Sequence, residues 1–196
     1  DCNALAAPGA VATHVVAVPR TFVYAEPDLR KPVAAALSLG AALTIVGTAE
    51  TRGMRYGLLE DGRAIVEKHI APAGATGGDY VAFAETLVGT PYLWGGTTGF
   101  GIDCSGLVQL SLRMTGRNVL RDSDMQAETL GAAIAPGSGL RRGDLVFWKG
   151  HVAIMTDSET MVHANGHTML VSREGLADAV ARIGYLYGQP TDYRRI

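Results

Sequence analysis

The sequence is short of cysteine, of unbalanced charge and of long apolar runs, and each shortage excludes something. Only two cysteines occur among 196 residues, which rules out a disulfide framework as the stabilising device. Cys2 stands in an N-terminal tail, residues 1–13, that carries no structural pattern, and Cys104 is expected as a free thiol. Seventeen basic residues nearly cancel nineteen acidic ones without any Lys/Arg-rich run, so no nucleic-acid partner and no anionic membrane surface is expected. The longest apolar stretch, Val33 to Val46, is interrupted by Ser38 and Thr44 and falls short of the ~20 residues needed to span a bilayer, so no membrane insertion is expected. The polar, repetitive composition of disordered chains is missing too: 47% of residues are apolar and 18% charged, enough to bury a substantial core. The chain opens at Asp1 rather than methionine, compatible with a processed leader, and no signal-type segment remains in it. Compartment is therefore open.

What is present divides in two. Residues 14–71 hold short apolar or alternating runs, His14–Val18, Thr21–Glu26, Ala41–Glu50, Met54–Glu60 and Arg63–Ile70, punctuated by Pro27, Pro32, Gly40, Gly53 and the Asp61-Gly62 pair. Asp-Gly between two apolar runs is a strong hairpin signal, and about five short strands in so few residues predict a small SH3-like β-barrel. Residues 72–78 are small and aperiodic, which marks a linker. From 79 to 196 the pattern changes. A helix starting at a capping Asp79 is followed by a Gly/Thr-rich loop from Gly89 to Gly101, then by a run from Cys104 to Met114 that is apolar nearly all round, the signature of a buried helix. Strands are expected at Asp144–Phe147, His151–Met155, Thr160–Ala164 and Met169–Val171, with a helix over Leu176–Ala181. The fold class is α+β, helices packed on an antiparallel sheet.

Cys104 sits where the glycine-rich loop enters the buried helix. A helix N-terminus favours the thiolate, the reactive form of cysteine, and can lower its pKa from ~8.5 into a range of ~3.5–7.5. The adjacent Asp103 opposes this unless its carboxylate is tied up in capping the helix. A lone buried cysteine is more often inert, and a lone histidine is more often structural, but here two histidines stand in a definite relation. If Thr156-Asp157-Ser158 closes a hairpin as a three-residue loop, Met155 faces Glu159 and His151 pairs directly with His163. Opposed residues have Cβ atoms ~4.5–5.5 Å apart, so one imidazole can orient the other, as a general base requires. One cysteine and two histidines could instead hold zinc, but their wide spacing and the absence of a local carboxylate favour the nucleophile. No metal or other cofactor is expected.

The residues in order resemble the NlpC family of bacterial cell-wall cysteine peptidases, which are papain-like. The matching strings are Gly89-Thr-Pro-Tyr-Leu-Trp-Gly-Gly96, Asp103-Cys-Ser-Gly106, Arg142-Gly-Asp-Leu-Val146, Gly150-His-Val-Ala-Ile154 and Val162-His-Ala164, and they extend over about residues 79 to 190. The resemblance implies Cys104 as nucleophile, His151 as general base and acid, His163 as its orienting partner, and Tyr92 as a hydroxyl donor to the oxyanion. It also implies a peptidoglycan-derived peptide substrate lined by Trp94, Ser105, Arg121, Asp122 and Ser123. Members that cut free murein peptides between γ-D-glutamate and the diamino acid carry an Asp-Ser pair that holds the free N-terminal amine, and Asp122-Ser123 stands in a similar place. A carboxylate and a hydroxyl suit an ammonium, although Ser123 to Gln126 also reads as a capping box. The N-terminal SH3-like domain of such enzymes walls off the substrate groove. Here the Gly-Trp-Val seen late in many such repeats is replaced by Gly62-Arg-Ala-Ile-Val66.

The reading is a two-domain hydrolase that cuts murein peptides through a thioester. Its rivals are a non-catalytic wall-binding protein and an amidase or acyltransferase using the same triad.

Overall fold

The computed structural model describes residues 11–74, 77–135 and 138–196. Cys2 and most of the tail, together with the two central linker residues 75 and 76, lie outside the described residues. The chain groups into two compact units, one up to residue 75 and one from residue 76 onward.

The first unit is all β apart from one 3-10 turn at Glu67–His69. Its strands are β1 (His14–Val16), β2 (Arg20–Tyr24), β3 (Val33–Ser38), β4 (Ala42–Leu43), β5 (Gly47–Thr51), β6 (Met54–Leu58), β7 (Ala64–Val66) and β8 (Ile70–Pro72). They form a five-stranded sheet in the order β3-β2-β7-β6-β5 and a three-stranded sheet in the order β4-β1-β8. The described residues of the first unit thus contain eight strands where about five were expected. The run from Ala41 to Glu50 breaks into β4 and β5, that from Arg63 to Ile70 breaks into β7 and β8 around the 3-10 turn, and β3 was not anticipated because its alanines carry little strand preference of their own. Pairing of β3 along the whole of β2, Arg20↔Ser38 through Tyr24↔Val33, supplies what local preference does not. The Asp61-Gly62 hairpin forms, with Asp61 Oδ1 accepting from the Arg63 N–H at 3.1 Å and Gly62 at φ 83°.

The second unit is α+β. Its elements are α1 (Tyr80–Thr86), β9 (Thr97–Thr98), β10 (Gly101–Ile102), α2 (Cys104–Arg113), α3 (Ser123–Thr129), β11 (Ala132–Ala133), β12 (Asp144–Trp148), β13 (His151–Met155), β14 (Thr160–Asn165), β15 (Leu170–Gly175), α4 (Leu176–Tyr187) and β16 (Asp192–Arg195). Asp79 caps α1 through the Val81 N–H at 2.9 Å, as its position suggests. A six-stranded antiparallel sheet, β11-β16-β12-β13-β14-β15, forms the core. Alternate residues of its strands, Val146, Trp148, Ala153, Met155 and Met161, pack under Ala179 and Ile183 of α4, while α2 lies against β13. With both faces covered, β12 is buried along its whole length, which is why Asp144-Leu-Val-Phe-Trp148 shows no alternation. β16, inserted beside β12, was missed because Asp192-Tyr-Arg-Arg195 is polar. The fully buried Asp144 carboxylate holds it there by receiving Arg195 Nε at 2.8 Å and Nη2 at 2.7 Å.

Two sequence expectations are corrected. The β13–β14 register pairs Ile154 with Val162 and Met155 with Met161, two residues away from the register expected, because the connection closes later: the Thr156 and Asp157 N–H groups both turn to the Thr160 carbonyl. The capping box at Ser123 does not form. Asp122 is the N-cap residue and makes no side-chain cap, while the Gln126 amide is drawn away to the Ser105 and Leu120 carbonyls at 3.0 and 2.9 Å.

Close approach of two backbones sets the start of α2. A Cβ on Gly106 would strike the Gly96 carbonyl, and one on Gly96 would meet the Gly101 carbonyl at 2.5 Å. Gly106→Ala is expected to destabilise by about 1–3 kcal/mol, as overpacked sites do, measured as a lower urea midpoint, whereas Gly139→Ala, which meets nothing within 4 Å, should leave the midpoint unchanged.

Candidate active site

Helix α2 begins with four N–H groups that lack intrahelical partners. Two of them are satisfied at the cap: the Asp103 Oδ1 receives Gly106 N–H at 2.7 Å, and Asp103's own N–H donates to the Gly96 carbonyl at 3.1 Å. The N–H groups of Cys104 and Ser105 remain, and both face the Cys104 thiol. The thiol is buried and is reached by a third donor, the Val152 N–H. That amide is available because the β13–β14 ladder is confined to the two pairs nearest the hairpin loop. The nucleophile candidate is thereby lodged against the residue that follows His151.

In the register observed, His151 is not directly opposite His163. Extended along the strands, the pairing sets His151 against Asn165, with His163 on the diagonal of the same face. Diagonal neighbours are ~7–8 Å apart along the backbone, and two imidazoles span that gap: His151 Nε2 lies 2.9 Å from His163 Nδ1, ring centroids 5.1 Å apart. The expected contact forms by a different register. Buried Trp148 flanks His151, with ring centroids at 5.7 Å. The Nδ1 of His151 makes no hydrogen bond among the described residues.

Two charged groups at this site were not anticipated. His163 Nε2 lies 3.0 Å from Glu174 Oε2 on β15, and Arg182 of α4 grips that carboxylate through Nε at 3.0 Å and Nη2 at 2.6 Å. Since His163 pairs with Ser172 and Met161 with Glu174, Glu174 is again a diagonal same-face neighbour, so His151, His163 and Glu174 make an oblique row across three strands. Period-two alternation puts Glu174 on the His163 face once β15 is known to pair with β14, but no local motif marks it.

The other expected residues are placed as follows. Arg121 is engaged with the base of the loop rather than left free for a ligand: Nη2 reaches Asp103 Oδ2 at 2.5 Å, and Nη1 reaches Asp103 Oδ1 at 3.0 Å and Ser105 Oγ at 2.8 Å. Ser105 is buried in that cluster. The Asp122 carboxylate is exposed, Ser123 is half-buried, and Trp94 is 84% exposed. Tyr92 is half-buried, with its hydroxyl in the electrostatic field of Cys104. Arg121 and Gln126 together tie the start of α3 to the start of α2, which holds Asp122 and Ser123 beside the nucleophile's helix.

Residues 89–180 match the model of the NlpC/P60 family. A "Probable endopeptidase" of Corynebacterium glutamicum is 37% identical over 113 residues, 56% of this chain and 53% of that protein. A "Gamma-D-glutamyl-L-lysine dipeptidyl-peptidase" of Bacillus subtilis is 34% identical over 97 residues, 45% of this chain and 32% of that protein. A crystal structure of an NlpC/P60 family protein from Bacillus cereus is similar over 93% of this chain and 62% of that one, with a TM-score of 0.73 and 26% identity. The likeness to the NlpC/P60 family thus lies in the second unit, over residues 89–180. The chain spans about half the length of the first curated relatives it matches.

Burial sets the charge state of the candidate pair, Cys104 and His151. The Cys104 thiol is pushed up, first by burial and then by the Asp103 charge, against the pull of the Val152, Ser105 and Cys104 N–H groups. His151 is pushed down to about 3 by burial, with His163 and Arg182 adding to it, and His163 is pushed down to about 4 by burial, with Glu174 pulling the other way. The thiolate expected from the helix N-terminus is therefore not the resting form; the pair is thiol and neutral imidazole.

Both histidines stay neutral in the folded state below their ordinary 6.5, while the unfolded chain takes up protons there. A state that binds more protons is favoured as pH falls, so folding stability contributed by the two rings is intact above about pH 6.5 and is lost towards pH 4. The thermal midpoint of the domain should decline through that window, with carboxylates such as Glu174, ordinarily 4.5 and lower when folded, adding to the decline only at its acid end. His163→Gln should flatten the decline. Arg121→Met should lower stability by about 2–3 kcal/mol, because a buried carboxylate loses its partner, and should move Cys104 alkylation by iodoacetamide to higher pH.

Proposed function

We propose that this protein is a cysteine endopeptidase that hydrolyses the γ-D-glutamyl–diamino acid bond of murein peptides with a free N-terminal L-alanine. The observation that carries the reading is the 2.9 Å contact between His151 Nε2 and His163 Nδ1, on the strand whose next N–H meets the Cys104 thiol. It leaves His151 Nδ1 as the nitrogen able to accept a proton. The names of the Bacillus and Corynebacterium relatives support the peptidase class and the bond.

In this reading Cys104 Sγ attacks the γ-carbonyl carbon of the D-glutamyl residue while its proton passes to His151. The C–S bond forms and the carbonyl electron pair moves to oxygen, where the Cys104 N–H and the Tyr92 hydroxyl meet the developing charge. A buried donor of this kind is worth about 2.7–4 kcal/mol in the transition state. Collapse of the tetrahedral centre breaks the C–N bond, and the leaving amine of the diamino acid takes the proton from His151. Water, deprotonated by His151, then attacks the thioester carbon; collapse breaks the C–S bond, the sulfur takes the proton back from His151, and the product acid releases its remaining proton to solvent as the carboxylate leaves. His163 keeps the His151 ring aimed throughout.

Asp122 and Ser123 receive the substrate ammonium in this scheme, and Trp94 lines its path. Arg121 and Ser105 hold the loop in place. We also read the first unit, with its two antiparallel sheets, as an SH3-like domain at residues 14–71, joined by the linker 72–78 to a catalytic domain at 79–196.

The test uses L-Ala-γ-D-Glu-L-Lys, its meso-diaminopimelate counterpart and N-acetylated copies of both, with L-Ala-D-Glu release followed by mass spectrometry. Free-amine peptides should be cut, acetylated ones at least about tenfold more slowly, the loss of one charge-assisted contact of about 1.5–3 kcal/mol. Cys104→Ala should abolish turnover, and Asp122→Asn should raise KM for the free-amine peptide alone. Equal cleavage of free and acetylated peptides would remove the amine site and leave the peptidase; no cleavage of either would remove both.

A further inference from the structure

We infer that Glu174, anchored by Arg182, is a positioning residue that selects the tautomers of His163 and His151 in which His151 can act as a base. The inference rests on the reading of His151 as the base, and it concerns residues that touch no substrate.

The argument is one of satisfaction in a dry place. His163 is fully buried, and a neutral imidazole has one N–H and one lone pair, so its two nitrogens need opposite partners. Its Nδ1 faces His151 Nε2 at 2.9 Å. Its Nε2 lies 3.0 Å from Glu174 Oε2, bent from the straight N–H line, and no other acceptor reaches that nitrogen among the described residues. Two proton arrangements are open to the histidine pair. In one, His163 carries its proton on Nε2, accepts on Nδ1 from His151 Nε2–H, and leaves a lone pair on His151 Nδ1. In the other, every proton is moved to the opposite nitrogen, and His151 Nδ1 is occupied by hydrogen and useless to a thiol.

A carboxylate can only accept. Placed at His163 Nε2, it admits the first arrangement and opposes the second. Arg182 keeps it in that role: two N–H bonds from the guanidinium fix the plane of the carboxylate and hold it ionised. The groups that face His163 are accordingly His151 from β13, Glu174 from β15 and Arg182 from α4. No proton passes to Glu174 at any stage. Its action resembles that of the buried carboxylate behind a catalytic histidine in a serine protease, set here one residue further back.

Glu174→Gln is nearly isosteric and tests the point, because an amide can present either a carbonyl or an NH2 to His163 and so admits both arrangements. Two-dimensional ring-nitrogen NMR of the full chain labelled with 15N should show His151 and His163 of the unmodified protein both as Nε2–H tautomers at neutral pH. In Glu174→Gln a second population with the proton on Nδ1 should appear, kcat should fall about 10–100-fold, the usual scale for partners that orient a working histidine, and KM should not move. Cys104 alkylation should slow in parallel. An unmodified protein with His163 protonated on Nδ1 would overturn the inference without need of any variant, as would a Glu174→Gln enzyme with unaltered tautomers and kcat. Retained turnover in His151→Ala would instead overturn the underlying reading of the base.

Discussion

A neutral imidazole with no exposed surface, His163, sets the constraint around which the rest of the domain is arranged. Removing such a ring from water is tolerable only if both nitrogens find partners of the right kind, and each partner must be brought from a different strand. The antiparallel sheet does this obliquely. Each residue in the row from His151 through His163 to Glu174 is displaced by one same-face step from its neighbour's direct partner, and the length of the side chains makes up the difference. The formal charges are kept at the far end, where Glu174 and Arg182 are each partly exposed. Only groups able to remain uncharged enter the dry part of the row.

The other side of the thiol is organised on the same logic with different parts. Asp103 would be a poor neighbour for a nucleophile if its charge were free. It is instead surrounded by donors, the Gly106 and Gly95 N–H groups, the Ser105 hydroxyl and both ends of the Arg121 guanidinium. These fold the glycine loop onto α2 and leave the Cys104 and Ser105 N–H groups directed at the sulfur. Burial then keeps the thiol protonated at rest. A protonated thiol is a weak nucleophile and a slow target for oxidants, so in the reaction proposed above the proton moves to His151 as a carbonyl arrives, and no standing ion pair is needed beforehand.

How much of this the sequence carried depends on the range over which each feature is determined. The buried helix beginning at Cys104 and the two histidine strands were legible because they are set by local apolar patterning and by the loop-to-helix transition. The partnership of the two histidines was legible for an imperfect reason: a shorter hairpin loop places them opposite, the true loop places them on a diagonal, and both keep them on one face because the displacement is an even number of residues. An odd slip would have sent one ring to the other side of the sheet. Glu174 and Arg182 were not legible, since their relation to His163 needs the β14–β15 register and the angle of α4. Arg121 was expected among the substrate-binding residues, and its engagement with Asp103 and Ser105 was not foreseen; a charged residue next to a motif says nothing of which carboxylate it will meet. Strand β3 and strand β16 escaped because their alanines and arginines take on extended form only through pairing.

One carboxylate–arginine pair, Asp103 with Arg121, sits at the start of the Cys104 helix and the other, Glu174 with Arg182, beside His163, and their arginines have opposite electrostatic consequences. On the sulfur side, Asp103 stands between Arg121 and the thiol, and an uncompensated negative charge there opposes formation of a thiolate. On the imidazole side, Glu174 stands between Arg182 and His163, and an uncompensated negative charge there favours an imidazolium. With both arginines in place, each pair is close to neutral and neither drives the thiol and imidazole toward charge separation at rest. What the pairs contribute is direction: fixed N–H groups facing the sulfur on one side and, in the tautomers inferred above, a lone pair on His151 Nδ1 on the other. In the proposed reaction, charge separation between the sulfur and His151 Nδ1 then develops only when a carbonyl carbon is present to take the sulfur's electron pair.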